Sequence, residues 1–450
     1  MNQNKILTNQ VLQEADKKLL FEKENEIAAQ ADAISTTVFR HPELGNEEKF
    51  TSEFLAQQAA KAGFQVTFLY LHIPTSFRAE FGDAEGPAIA FLAEYDALPG
   101  YGPGRNENGH ACGHNWIAAS TFAAAAALKK YKEEKNFKGR IVWLGCPAEE
   151  TTSEKITLIN RGAFRDIDAA LQMHLGQETT TTRNELAMTI LWFTFLGKAS
   201  HASGAPFRGI NALDALNLTY QGIGLLRQQL REHVRIHSTV REGGAAPNII
   251  PDRTVLEVYV RSADKNYLEE VIRKVVNCAR GACLMTGCRL EVRRDKYTTF
   301  DINQNRLLSG LLEENLQALG EKISVFQDPY AAAGSSDIGN TSYAVPLCYA
   351  YMGTGEYSDA KTHDAAFLSV ADSGFAHEKI HVAAKAMAAA ALEVFLNPQA
   401  QTLLRQAGKL LMEDEKVNGN ANRAGAVLTV AYDAEGNETG RNQQTTEEQM

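Results

Sequence analysis

Residues 108–116 read NGHACGHNW and set two imidazoles and a thiol, His110, Cys112 and His114, close together at the mouth of an alanine-rich helical stretch. Gly109 and Gly113 interleave them, and glycine lets a backbone pass close to an object such as an ion. Cys112 and His114 could hold a metal, or could form a nucleophile and its base; a buried cysteine beside a helix-capping histidine is the plain structural alternative. Two further groups bear on that choice. Glu149 and Glu150 are adjacent carboxylates at the end of the apolar run IVWLGCPA, and they repel each other unless a cation compensates. His174 closes the run DAALQMHLG. Cys, His, Glu and His form a borderline-soft donor set that suits zinc best, with cobalt, manganese or nickel also able to bind. The set offers more ligands than one ion uses, which fits a two-metal site. A nucleophilic Cys112 would leave the glutamate pair and His174 without a role. There is no G-x-S-x-G elbow, no P-loop and no G-x-G-x-x-G after a strand.

The elements that must position these residues read as a parallel α/β sheet. PAIAFLAEYDAL (87–98), GRIVWLGCPAEE (139–150) and DAALQMHLG (168–176) are apolar runs, and a helical segment beginning WIAAS, with Asn115 as its expected N-cap, lies between the first two. They end in Glu94 and Asp96, in Glu149 and Glu150, and in His174. Ligands of open α/β sheets bind beyond the carboxyl ends of the strands, so these side chains should converge on one crevice. Residues 187–298 follow the order βαββαβ, the ferredoxin-like arrangement, and form a second domain inserted into the first.

With 450 residues, 44 % of them apolar, the chain can bury a sizeable core in two or three domains. The net charge of −10 argues against nucleic acid. The polar N-terminus lacks a secretory h-region and no apolar stretch reaches a bilayer span, so a cytoplasmic protein without membrane partners is expected. The six cysteines then read as thiols. Of the other histidines, His72, His233, His237, His377 and His381 sit in strand- or helix-like surroundings and are taken to lack acidic or thiol companions, and His41 belongs to a helix-ending HPE turn; all six read as packing residues.

EYDALPG, GHACGHN, CPAEE, the MH of QMHLG, GKASHAS, PNIIPD and GSSDIGN together resemble the di-metal aminoacylase/carboxypeptidase superfamily of zinc peptidases. The nearest branch is the one with hippurate hydrolase, auxin-conjugate hydrolases, p-aminobenzoyl-glutamate hydrolase and β-alanyl-lysine dipeptidase. The likeness runs in order over about residues 15–397. It implies a catalytic α/β domain over 12–186 and 299–415, an inserted lid and dimerisation domain over 187–298, and a tail, 416–450, outside the likeness that reads as disordered. It implies two divalent metal ions per subunit, held by Cys112, His114, Glu150, His174 and His363, with Cys112 at the bridging position. It implies Glu149 as general base, His201 as the lid histidine that reaches a partner's active site, and Asn248 and Arg261 as carriers of the substrate carboxylate. Without it, His363 reads as a loop residue and Arg261 as a strand arginine paired with an acid such as Glu257. Two departures stand out. Glu94 occupies a position where many members carry a metal-binding histidine, which puts Asp96 behind a ligand as its orienting carboxylate. The frequent M-H-P is M-H-L here. The expected activity is metal-dependent cleavage of an amide in an N-acyl amino acid, an aryl-amide conjugate or a dipeptide with a free carboxylate. The rival is a non-catalytic ligand-binding protein on the same fold.

Overall fold

Parallel strands are covered on both faces and should therefore be apolar throughout, and that is how the first sheet is built. The computed structural model describes residues 12–102, 106–325, 334–418 and 426–445. The chain lays down β1 (Gln65–Phe68), β2 (Phe77–Gly82), β3 (Ala88–Ala93), β4 (Arg140–Gly145) and β5 (Ala169–Gly176). After a long excursion it returns for β12 (Leu347–Gly353). The strand order is β1-β2-β4-β3-β5-β12. β4, β3, β5 and β12 run parallel, while β1 and β2 form an antiparallel margin. Every residue of β3 is buried. Helix His114–Lys135 packs on this sheet and against helix Gly374–Leu396, and alanines at the contact let the two approach closely.

The expected helix start at Asn115 is displaced. The helix begins at His114 behind Gly113, whose φ of 82° is a left-handed conformation that glycine adopts without cost. A Cβ there would also press on the Phe367 ring at 3.2 Å. Asn115 instead turns inward, donating to Ser35 Oγ at 3.0 Å and to the Ala371 carbonyl at 2.8 Å.

The excursion builds a second compact unit from the described residues of 184–302, 334–335 and 426–445. It contains β6 (Ala187–Leu196), β7 (Ser200–His201), β8 (Arg235–Glu242), β9 (Ile249–Ile250), β10 (Arg253–Ser262) and β11 (Arg289–Arg294). With helices Ala212–Leu226 and Lys265–Thr286 this is the βαββαβ order, and its four long strands pair antiparallel as β11-β6-β10-β8. Burial alternates along β6, as a sheet with one face under helices requires. Phe193 and Phe195 lie in one core with Leu216, Val271 and Val275. Asn211 and Asp264 cap the two helices by accepting backbone N–H bonds.

The expectation of a disordered tail is corrected over 426–445; residues 419–425 and 446–450 lie outside the described residues. β13 (Ala426–Tyr432) pairs with β11 and with β14 (Glu438–Thr445), extending the second sheet as a hairpin. The polar average of the tail hides the alternation in AVLTVAY, which buries Val430, and a tight Asp433–Asn437 turn. Arg280 grips that turn with two hydrogen bonds to the Gly436 carbonyl, 2.9 and 2.6 Å.

His377 and His381 also depart from expectation, because both have acidic partners, Asp32 and Glu24 contributed from far along the chain and Asp372 from five residues before His377. His377 bonds Asp32 at 2.7 Å and Asp372 at 2.9 Å. His381 donates from Nδ1 to the fully buried Glu24 at 2.8 Å, with Lys385 Nζ 3.2 Å from the other oxygen. The bond to Glu24 raises His381 above its ordinary pKa of 6.5. A raised folded-state pKa contributes stability that is complete below about pH 6.5 and is lost as pH rises through the raised value. His381→Gln should therefore lie furthest below wild type in denaturant-unfolding free energy on the acid side, with the gap narrowing toward alkaline pH. A gap independent of pH would assign the contribution to packing instead.

Candidate metal centre

Because β3, β4 and β5 run parallel, their carboxyl ends lie on one edge of the sheet, and the turns beyond them carry the polar residues. β3 runs out into Glu94 and Asp96, β4 into Glu149 and Glu150, and β5 holds His174 near its own end. Cys112 precedes the helix whose first residue is His114. His363 arrives from a turn at φ 64°, pinned by its N–H to the Ala111 carbonyl (2.9 Å) and by Tyr101 Oη to its own carbonyl (2.8 Å). These turns bring six side chains together in three overlapping sets: Cys112, His114 and His174; Cys112, Glu150 and His363; His114, Glu149 and Glu150. Within each set the donor atoms lie within 4.8 Å of one another.

The contacts orient the donors. His114 Nδ1 donates to Asp96 Oδ1 at 2.8 Å, while Asp96 Oδ2 accepts the Glu150 backbone N–H at 2.9 Å. His114 Nε2 is left buried with no hydrogen-bond partner, and it faces Glu94 Oε2 at 3.5 Å and Glu150 Oε1 at 4.0 Å. Cys112 Sγ lies 3.4 Å from His174 Nε2, and the other ring nitrogen of His174 donates to the Leu175 carbonyl. His363 Nε2 donates to Glu150 Oε1 at 3.0 Å. A buried, orphaned imidazole nitrogen facing carboxylates is the arrangement a cation completes. The thiol, imidazole and carboxylate donors fit zinc chemistry.

The electrostatics carry the same excess of negative charge. Burial, then Glu150, Glu94 and Asp337, push the Glu149 carboxyl far above the ordinary range. Burial also raises Glu150, but the His363 hydrogen bond and the His114 charge outweigh it and hold Glu150 low. Burial and the Glu150 charge push the Cys112 thiol up. Burial and the His114 charge bring His174 down to about 4. A bound cation would oppose the upward shifts of Glu149 and Cys112, because it favours carboxylate and thiolate.

One part of the site was not legible in the sequence. Lys155 is completely buried, and its Nζ lies 2.6 Å from both Glu94 Oε1 and Asp337 Oδ1. Burial opposes ionisation of Glu94, but the Lys155 charge prevails and holds Glu94 near 2. Asp337, within the GSSDIGN stretch, is pushed to about 6 by burial. His110, grouped by sequence with Cys112 and His114, joins none of the three donor sets; it is buried and stacks on Phe39 at 6.4 Å.

The remaining expected residues belong to the second unit. β7 pairs with β9, setting His201 opposite Ile249, and the Ala202 N–H donates to the Asn248 carbonyl at 3.0 Å. His201 Nδ1 accepts backbone N–H bonds from Ser203 (3.3 Å) and Gly204 (3.0 Å), which requires a neutral ring to carry its proton on Nε2. Arg261 sits on β10 with its Nε buried and unpartnered. The structural reading of Arg261 as the partner of Glu257 fails, since Glu257 Oε2 is bound by Arg241 at 2.5–2.6 Å.

Residues 90–393 match the family described as peptidase family M20/M25/M40. The chain is 34% identical to the Xaa-Arg dipeptidase of Mus musculus over 418 residues, covering 90% of this chain and 95% of the relative. It is 31% identical to a p-aminobenzoyl-glutamate hydrolase chain of Escherichia coli (strain K12), covering 81% and 89%. Among solved structures it is similar to a dinuclear metal binding peptidase from the M20 family of Bacillus subtilis, with TM-score 0.60, 20% identity and coverage of 80% and 98%. An aminobenzoyl-glutamate utilization protein from Klebsiella pneumoniae gives TM-score 0.59, 19% identity and coverage of 83% and 98%.

Asp96 fixes the His114 ring through Nδ1, so its carboxylate should matter to ion binding without touching an ion. Asp96→Asn is expected to weaken zinc binding by about 10–100-fold in a competition titration against a chromophoric chelator. Unchanged affinity would detach Asp96 from the donor function of His114.

Proposed function

The chain belongs to peptidase family M20/M25/M40 and is a metal-dependent amide hydrolase, and from that premise we propose that it uses two divalent ions, zinc by donor chemistry, to cleave small carboxylate-bearing amides. Cys112, His114, Glu150, His174 and His363 would hold the ions, with Cys112 between them. The observation that carries this reading is the convergence of these donors around a buried, unpartnered His114 Nε2. When bound, the ions supply Lewis-acid polarisation of the scissile carbonyl and of an attacking water. Glu149 takes the proton of that water and returns it to the leaving amine, the work of a general base that becomes a general acid. Burial and the neighbouring carboxylates raise the proton affinity of Glu149, and bound cations would offset that shift, leaving it the carboxylate a base requires. The Nε2–H of His201 is a donor suited to the developing oxyanion. In this reading it serves a partner's site in a homodimer formed through the second unit, which acts as a lid.

The substrate class is drawn from the relatives. One is named for Xaa-Arg dipeptides, one for p-aminobenzoyl-glutamate, and a 24% identical Bacillus subtilis protein for N-acetylcysteine. Each is an amide of an amino acid, so an N-acyl amino acid, an aryl-amide conjugate or a dipeptide is the proposed range. The unpartnered Arg261 Nε, with Asn248, suits the substrate's free carboxylate, because a guanidinium binds a carboxylate through a rigid fork. A cytoplasmic location fits the free cysteines, and among the described residues no single helix is long and apolar enough to cross a membrane. A non-catalytic binding protein would not require both a complete donor set and a spare buried carboxylate beside it.

Glu149→Gln keeps shape and removes the base. Turnover on p-aminobenzoyl-glutamate or a dipeptide should fall by about two to four orders of magnitude, with zinc per chain unchanged. Loss of zinc instead would make Glu149 a ligand and exchange the roles of the two glutamates.

A thermodynamic cycle tests the carboxylate anchor. Blocking the substrate's carboxylate as a methyl amide should cost about 2–5 kcal/mol in kcat/KM, as truncating one partner of a buried charge pair does. Arg261→Ala should lose a similar amount on the free acid and little further on the blocked substrate, since both changes remove one interaction. Additive penalties would assign Arg261 a structural role.

A further inference from the structure

Glu149 has a neighbour on each side whose peptide N–H is held by a buried carboxylate. On the Glu150 side the holder is Asp96, at 2.9 Å. On the Ala148 side it is Glu48, whose Oε1 accepts the Ala148 N–H at 2.7 Å and whose Oε2 accepts Thr75 Oγ1 at 2.9 Å. Glu48 is fully buried, and it lies 100 positions from the residue it holds.

Ala148 needs that support. Its φ of 54° is a left-handed conformation that an L-residue holds only where its surroundings enforce it. Its carbonyl takes the N–H groups of Thr152 and Ser153 at 3.2 and 2.9 Å, so the following turn closes on it. The turn that carries Glu48 presses on the same point. A Cβ on Gly45 would lie 2.9 Å from Ala148 Cα and 2.1 Å from Thr151 Oγ1, closer than real side chains come. Asn46 Nδ2 donates to Thr152 Oγ1 at 2.7 Å. The same segment reaches the other holder's loop, where the Ala97 N–H donates to the Glu43 carbonyl at 2.8 Å. Residues 43–48 thus brace both turns that flank the base.

We infer that Glu48 is a positioning residue for the reaction: with Asp96 it clamps the backbone N–H groups of the residues on either side of Glu149 and so sets the direction in which that carboxylate points. The inference rests on the reading of Glu149 as base. Displacement of a reacting group by about 1 Å can cost about 10²-fold in rate, so a brace of this kind acts on turnover rather than on substrate affinity.

The test compares Glu48→Leu, of similar volume but without an acceptor, with Glu48→Gln, which still accepts the Ala148 N–H. Burial and the Asp96 charge push the Glu48 carboxyl up to about 8, so a neutral amide is a fair replacement. In the zinc-loaded protein, Glu48→Leu should lower kcat by about 10–100-fold with KM changed by less than about threefold, and Glu48→Gln should restore kcat to within about threefold. Zinc affinity, read by chelator competition, should weaken in Glu48→Leu and recover in Glu48→Gln, because Glu150 hangs from the same turn. Wild-type kcat and zinc affinity in a folded Glu48→Leu would overturn the inference, as would equal damage from Leu and Gln. If Glu48→Leu fails to fold, Gly45→Ala displaces Ala148 from the outer side with Glu48 intact, and it should show the same kcat-selective loss; full activity there would overturn the brace. The two readings fail separately. A fully active Glu149→Gln would remove the base assignment alone, and the Glu48 pair would then be judged on zinc affinity.

Discussion

The repulsion among carboxylates gathered at one sheet edge is the constraint that the rest of the first unit answers. Glu94, Asp96, Glu149, Glu150 and Asp337 all come from the turns and the helix cap around this edge, where water is scarce. Each must give up its charge or find a positive partner, since an isolated buried charge is costly. The structure uses both answers. Lys155 holds Glu94 ionised, Asp96 is held by His114, and Glu149 is driven toward its neutral form. A cation held among Cys112, His114, Glu150, His174 and His363 would resolve what remains, and the gathered negative charge would supply the affinity for it.

The buried lysine also explains the departure at Glu94. A histidine at that position would present a neutral ligand; a glutamate adds a charge that Lys155 and Asp337 must accommodate. Lys155 bridges the two carboxylates at 2.6 Å each, and its own backbone N–H reaches Asp337 at 3.0 Å. That network ties the turn after β3, the short helix Glu154–Asn160 and the start of helix Ile338–Ala344 into one support beneath the donors. Breaking one member would leave an uncompensated buried charge, so the triad acts as a unit.

Much of this was readable along the chain, and what was not has a physical reason. Strands buried on both faces leave unbroken apolar runs, so β3, β4 and β5 could be read directly, and with them the edge on which Glu94, Asp96, Glu149, Glu150 and His174 meet. The βαββαβ order of the second unit was equally plain, because its strands alternate and its helices are amphipathic. Pairings between distant residues leave no such trace. Lys155 looks like any helix lysine, Glu48 like one of several surface acids in HPELGNEEK, and nothing near His381 points to its partner Glu24, 357 positions away. The tail misled for a different reason. Its average polarity is that of an unstructured chain, yet an exposed β11 edge offers unpaired backbone groups that a seven-residue alternating segment can satisfy.

Left-handed backbone occurs at three of the turns that carry the donors. Gly113, immediately before His114, has φ 82°; Ala148, immediately before Glu149, has φ 54°; and His363 itself has φ 64°. For the two that are not glycine, each such conformation costs about 1–3 kcal/mol and persists only where surrounding contacts over-determine it. Those contacts are present in each case: the Glu48 carboxylate on Ala148, and the Ala111 carbonyl with the Tyr101 hydroxyl on His363. A strand leaving a sheet in extended conformation sends successive side chains to opposite faces, so two neighbours such as Glu149 and Glu150 would diverge. Glu149 and Glu150 lie instead in the turn that follows Ala148, outside the extended strand, and there adjacent carboxylates share one crevice. The precision of the donors is therefore a property of the turns, and the turns hold their shape because buried polar groups from distant parts of the first unit leave them no alternative.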